Sequence, residues 1–251
     1  MQTELILNFT VDLAKTMLEN GAEVYRVEET MGYVLSKLTG NSGNSFVTTT
    51  AIMCTINNGI DNKTTMVRIK NRTINFEKVS LANNLSRRVF IGNIDIQTAI
   101  VELEKIKKKT VYSNKIKIFI SGLCLSSFSL IFNASLLDFI SSFIIGIFLY
   151  PILTFLDRKK LSTFVKSILG GSIASTFTIF FVFFGIGENF NIIMTSSMML
   201  LVPGVLLINS FRDILANDYL TGLSRLIEAI FIAICIAVGV IVILSLFIGL
   251  L

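Results

Sequence analysis

Leu5, Phe9, Leu13 and Met17 recur every four positions, the spacing of one helical face, and the run closes at Gly21. Val24, Val27, Met31, Val34 (or Leu35) and Leu38 repeat the pattern up to Gly40, which is placed as a C-cap glycine. Ser45–Ile56 is rich in Thr, Val and Ile, and Lys63–Lys70 follows after Asn57-Asn58-Gly59-Ile60-Asp61-Asn62. The pair predicts a β-hairpin around a turn. A helix over 77–90 is predicted to stop near Gly92-Asn93. Asp95 then caps a last helix running through a lysine cluster into the membrane.

Beyond residue 117 the pattern changes. Uncharged runs cover 118–137, 139–156, 167–187, 189–211 and 229–251. Roughly 20 apolar residues cross a hydrocarbon core of about 30 Å, so each run is long enough to span. The expected fold is an α-helical membrane protein: a small N-terminal α+β cytoplasmic domain over 1–112, then a five-helix transmembrane bundle over 113–251. The spans are expected near 117–136, 138–156, 165–186, 191–210 and 227–250. Gly170, Gly171, Ala174, Ser175 and Thr178 form a small-residue stripe that reads as helix packing. Pro203-Gly204 predicts a kink or break inside the fourth span.

Charge orients these spans. Of 39 charged residues, 27 precede residue 118. The connections at Asp138 and Glu188 carry no basic residue. Lys105, Lys107, Lys108, Lys109, Lys115 and Lys117, the group Arg158, Lys159, Lys160 and Lys166, and Arg212 with Arg225 all fall on the other side. The positive-inside rule places the N-terminus in the cytoplasm and the C-terminus outside.

Composition removes several chemistries. There is no histidine, which excludes His-based zinc sites, Ser-His-Asp and Cys-His triads. Cys54, Cys124 and Cys235 show no metal or disulfide spacing. No metal or cofactor is expected. Met1–Asn20 holds Glu4, Asp12 and Glu19 and lacks a basic start, unlike a cleaved signal peptide. The lysines before the first span suit anionic lipid. Nothing accompanies them that would stack on bases or read a groove, so no nucleic-acid partner is expected.

Two stretches concentrate polar residues. In Gly21-Ala22-Glu23-Val24-Tyr25-Arg26-Val27-Glu28-Glu29-Thr30, helical spacing brings Glu23, Arg26 and Glu29 or Thr30 to one face. From spacing alone, a solvated face with weak local ion pairs explains this better. The second stretch runs from Pro203-Gly204 through Asn209, Arg212, Asp213, Asp218, Gly222 and Arg225 to Glu228. An orienting cytoplasmic loop explains its arginines and leaves its acids unexplained. Arg212, Asp213, Arg225 and Glu228 are close enough in sequence to form an ion-pair set at a membrane edge.

The Gly-Ala-Glu-x-x-Arg-Val-Glu stretch, the Thr-rich strand and the Pro-Gly…Asn…Asp…Gly…Arg…Glu stretch resemble the threonine/serine exporter (ThrE-type) family over nearly the whole chain. Length and span count are similar to its short, YjjP-like members, whose other membrane half is a separate small protein. The positions that match are Gly21, Glu23, Arg26 and Glu28, then Pro203, Gly204, Asp213, Gly222 and Arg225. The resemblance implies a subunit of an inner-membrane exporter of small hydrophilic metabolites, either threonine/serine-like amino acids or succinate-like dicarboxylates, in a bacterial cell. Its implied partners are the small-molecule substrate, the lipid bilayer and a second small transmembrane subunit.

An arginine binds a carboxylate in bidentate fashion, which suits Arg225. An intramembrane-edge acid can carry a coupling proton, which suits Asp213. The alternatives are a membrane-embedded enzyme and a membrane-anchored ligand sensor or scaffold without transport. Ser126-Ser127 and Gly185-Ile186-Gly187 complete no catalytic motif, so no enzyme is expected.

Overall fold

The first helix, α1 (Gln2–Glu19), packs its apolar face against α2 (Val24–Thr39). The computed structural model describes residues 2–40, 43–57, 62–109, 112–159 and 161–247. Phe9, Leu13 and Met17 of the expected stripe are buried, while Leu5 at its start is exposed. On α2, Val24, Val27, Met31, Val34 and Leu35 face the core. Gly40 ends α2 in the left-handed conformation at φ 72°, as its position suggested.

The strand region differs from a simple hairpin. The Thr-rich run is two strands, β1 (Asn44–Val47) and β2 (Ala51–Asn57), and β3 (Asn62–Arg68) completes an antiparallel sheet in the order β1-β2-β3. Thr48 divides the run: its Oγ1 accepts the N–H of Ala51 at 3.0 Å, and its own N–H donates to the Ala51 carbonyl at 2.8 Å. A threonine hydroxyl thus supplies the turn where no glycine or proline marks it. The predicted turn residues Asn58, Gly59, Ile60 and Asp61 lie outside the described residues.

Helix α3 (Phe76–Ile91) and its left-handed Gly92 match the expected boundaries. Asp95 caps α4 (Ile96–Lys108), accepting the N–H groups of Gln97 and Thr98. That helix does not continue into the membrane. It stops at Lys108, and α5 (Asn114–Ile131) begins anew behind its own cap, Ser113. The chain divides into two compact units, one of residues 1–111 with 205–226 and the other of 112–204 with 227–251. The apolar core of the first is built from α1–α4 and the sheet, with Leu7, Leu13, Met17, Leu35, Ile52, Ile56 and Leu85 fully buried.

Among the described residues, four helices are long and apolar enough to cross a membrane: α5, α6 (Leu136–Arg158), α7 (Thr163–Phe183) and α10 (Tyr219–Phe247). Five were expected. The fourth expected span is divided into α8 (Phe190–Met198) and α9 (Gly204–Leu215), with non-helical backbone between them. The break falls at Pro203-Gly204, as proline predicted. At 1.5 Å per residue, nine residues reach only about 14 Å and twelve about 18 Å, short of the hydrocarbon core. Residues 248–250 of the last expected span, and Lys160 of the basic loop, lie outside the described residues.

Within the second unit the small-residue stripe of α7 serves packing. A Cβ on Gly171 would stand 2.6 Å from the Ile236 carbonyl oxygen, and the Ser172 hydroxyl donates to the Gly239 carbonyl at 3.1 Å. Asp138 is no loop charge. It lies within the first turn of α6, fully buried, in a capping box with Ser135. Its oxygens accept the N–H groups of Glu188 and Asn189 and the Asn189 amide, each at 2.8 Å. One carboxylate therefore fixes both the start of α6 and the connection before α8.

Candidate functional site

The turn between α1 and α2 presents backbone groups that need partners. Gly21 adopts φ 98°, a conformation costly for any side chain but glycine's hydrogen. Glu23 precedes the first turn of α2 in extended conformation, and its side chain makes no cap hydrogen bond. The Val24 N–H is instead satisfied by Asp213, Oδ1 to N 3.1 Å. A carboxylate there completes an open helix N-terminus and meets the positive end of its dipole.

Asp213 reaches that point because α9 and the start of α10 form a tight helical hairpin inside the first unit. Asn217 turns the chain at φ 67°, and Asp218 accepts the Thr221 N–H as α10 begins. A Cβ on Gly222 would collide with the Ile214 side chain and come within 2.9 Å of the Ser210 carbonyl. Glycine is what lets the two helices close.

The hairpin lays four side chains on the α1–α2 turn. Asn209 Nδ2 donates to the Gly21 carbonyl at 3.1 Å, and an Arg225 Nη donates to the Ala22 carbonyl at 3.1 Å. Arg212 pairs with Glu23. The other Arg225 Nη stands 3.0 Å from Asp213 Oδ2, and both side chains are buried. That last contact has the distance of an ion pair without hydrogen-bond alignment, since neither atom makes a hydrogen bond. Asp218 Oδ2 and Thr221 Oγ1 are likewise buried without a partner. Four buried polar atoms without an aligned hydrogen bond in one cluster are unusual where buried polar groups are nearly always satisfied.

Electrostatics separates the acids. Burial pushes the Asp213 carboxyl up to about 6; Arg225 and the Val24 N–H oppose this, and Asp218 and Glu23 reinforce it. Burial also acts upward on Glu23, but its own backbone N–H, Arg212 and Arg26 outweigh it and hold the group below the usual range. Glu28 is raised by burial against the hydrogen bond it accepts from the Val47 N–H at 2.7 Å.

The sequence model of the family described as "Putative threonine/serine exporter" matches residues 8–247. The chain belongs to the threonine/serine exporter family. No curated protein and no solved structure matches it. Its four apolar helices and this family make it a membrane protein of an exporter family.

In this exporter-family chain, Gly21, Glu23, Asn209, Arg212, Asp213 and Arg225 come together in one cluster. Arg26 stands at its edge, 3.7 Å from Glu23. Glu28 turns instead to β1. Pro203, Gly204 and Glu228 belong to the second unit. Within the expected loop set, Asp213 pairs with Arg225, but Arg212 takes Glu23 as its carboxylate. Thr221 was not singled out from sequence; Asp218 ahead of an apolar run is an N-cap signal, and it could have drawn attention to the turn that holds Thr221. Among the described residues no group of acids and cysteines could hold a metal ion.

Proposed function

We propose that the chain is a subunit of a bacterial inner-membrane secondary exporter of small hydrophilic metabolites, threonine/serine-like amino acids or succinate-like dicarboxylates. The observation that carries this reading is the buried Asp213–Arg225 contact with its unaligned hydrogen bond. A guanidinium not locked to its carboxylate can exchange that partner for a substrate carboxylate. An acid raised to about 6 gains and loses a proton near neutral pH, and outward flux of substrate can be coupled to that proton.

In this reading the N-terminus is cytoplasmic and the C-terminus outside. The return crossing between α7 and α10 runs through α8 and the non-helical stretch before Gly204, making a broken fourth span of five. Non-helical backbone at membrane depth is tolerated where protein or a polar path covers it, as in transporters with broken helices. The described spans supply no second half for alternating access, so a small transmembrane subunit acts as partner. The second reading, an anchored ligand sensor, is favoured by the charge cluster's membership of the first unit rather than the second.

Flux separates the two. Proteoliposomes with the chain and a candidate small subunit should export threonine, serine or succinate down a proton gradient, and the chain alone should not. Ligand binding without flux in both preparations would leave the sensor reading standing and remove the exporter one.

A further inference from the structure

A cavity of about 570 Å³ lies in the first unit between α2 and α3, floored by Met17 of α1. Its size is that of a small-molecule site. Tyr33, Phe76 and Phe90 line it and are all more than two-fifths exposed, with the Tyr33 and Phe90 rings 5.4 Å apart. Three large aromatic side chains left facing solvent around one concavity have apolar surface still to bury.

The charges on the walls say what would bury it. Arg26 projects from α2 and Arg87 from α3, against one carboxylate, Glu29, which accepts from the Tyr33 hydroxyl at 3.4 Å. Arg87 is exposed and has no ion pair or hydrogen bond among the described residues. Two guanidiniums and one carboxylate leave the cavity one positive charge. We propose that this cavity binds a small organic monoanion, a carboxylate on a flat apolar body, with Arg87 and Arg26 taking the carboxylate and the aromatic side chains covering the body.

Arg26 joins this site to the charge cluster, since its other neighbour is Glu23 at 3.7 Å and Glu23 in turn holds Arg212. An anion that draws Arg26 inward leaves Glu23 to Arg212 alone. Binding itself is independent of transport, so its test does not stand or fall with the exporter reading.

The test uses the full chain in phosphatidylcholine nanodiscs, with benzoate as probe and benzamide as its neutral counterpart, followed by saturation-transfer difference NMR. Benzoate should bind, and benzamide should bind about tenfold more weakly or worse, the scale of one charge-assisted hydrogen bond. Arg87→Gln, an exposed change that spares the fold, should weaken benzoate by a similar factor, and Phe90→Ala should weaken both probes. Absence of benzoate binding, equal binding of the two probes, or unchanged affinity in Arg87→Gln would overturn the proposal.

Discussion

Asp213 caps α2 at Val24, its Oδ1 3.1 Å from a backbone nitrogen 189 positions earlier in the chain. Glu23, the residue whose place in sequence would make it the cap, turns its side chain to Arg212 instead. The start of the chain and the α9–α10 hairpin are therefore parts of one folded unit. A charged group from the hairpin stands where the α2 dipole is most positive. Whatever changes the charge of Asp213 also changes how well α2 is capped.

The first prediction follows from the sign of the Asp213 shift. A carboxyl held above its ordinary value of 3.8 contributes stability that is fully present below pH 3.8 and is lost as pH rises through about 6. The melting temperature of the wild type should fall between pH 4 and pH 6 more steeply than that of Asp213→Asn, which has no proton to lose there. Parallel pH profiles for the two proteins would show that Asp213 does not titrate in this window.

Arg225 and Asp213 should be strongly coupled in stability. Arg225→Gln leaves a buried carboxylate without its countercharge and the Ala22 carbonyl without its donor. Breaking one side of a buried pair costs about 3–5 kcal/mol. Asp213→Asn keeps the neutral form that burial favours and should cost less, and the double variant should recover at least about 1 kcal/mol relative to the sum. Strictly additive losses in chemical unfolding would mean that the two side chains do not interact.

Much of the fold was legible because helix faces, caps and breakers leave local marks: the Val24–Leu38 stripe, Gly40, Asp95 and Pro203-Gly204 all stand where their chemistry requires. The division of Ser45–Ile56 was not legible, since a threonine hydroxyl makes that turn and Thr is also a good strand residue. The 189–211 run looked like a span because hydropathy does not register where a helix stops. Asp138 stood in the sequence only as the connection between two spans, and only the fold brings Glu188 and Asn189 to its oxygens. The site was half legible. Each motif could be found by its density of charge, but nothing local says that Gly21–Glu23 and Asn209–Arg225 meet.

The closeness of the hairpin helices gives a sharper structural prediction. Gly222→Ala forces a methyl against the Ile214 side chain and Ser210 backbone, and overpacking of this kind costs about 1–3 kcal/mol. Gly204→Ala, at the start of α9, meets no heavy atom within 4 Å and should be near neutral. Chemical unfolding of the two variants checks this, and equal losses would contradict the close contact inferred at Gly222.

Efflux of radiolabelled threonine, serine and succinate from proteoliposomes decides whether Asp213 and Arg225 carry transport. The preparations hold the chain with its small subunit, and rates are normalised to folded, inserted protein. Asp213→Asn and Arg225→Gln should abolish efflux. The double variant, although it regains stability, should remain inactive. Asp157→Asn should export at the wild-type rate, because the Asp157 pair with Lys166 is an exposed surface one. Wild-type efflux from all four variants would leave the Asp213–Arg225 contact with a purely structural role and no part in transport.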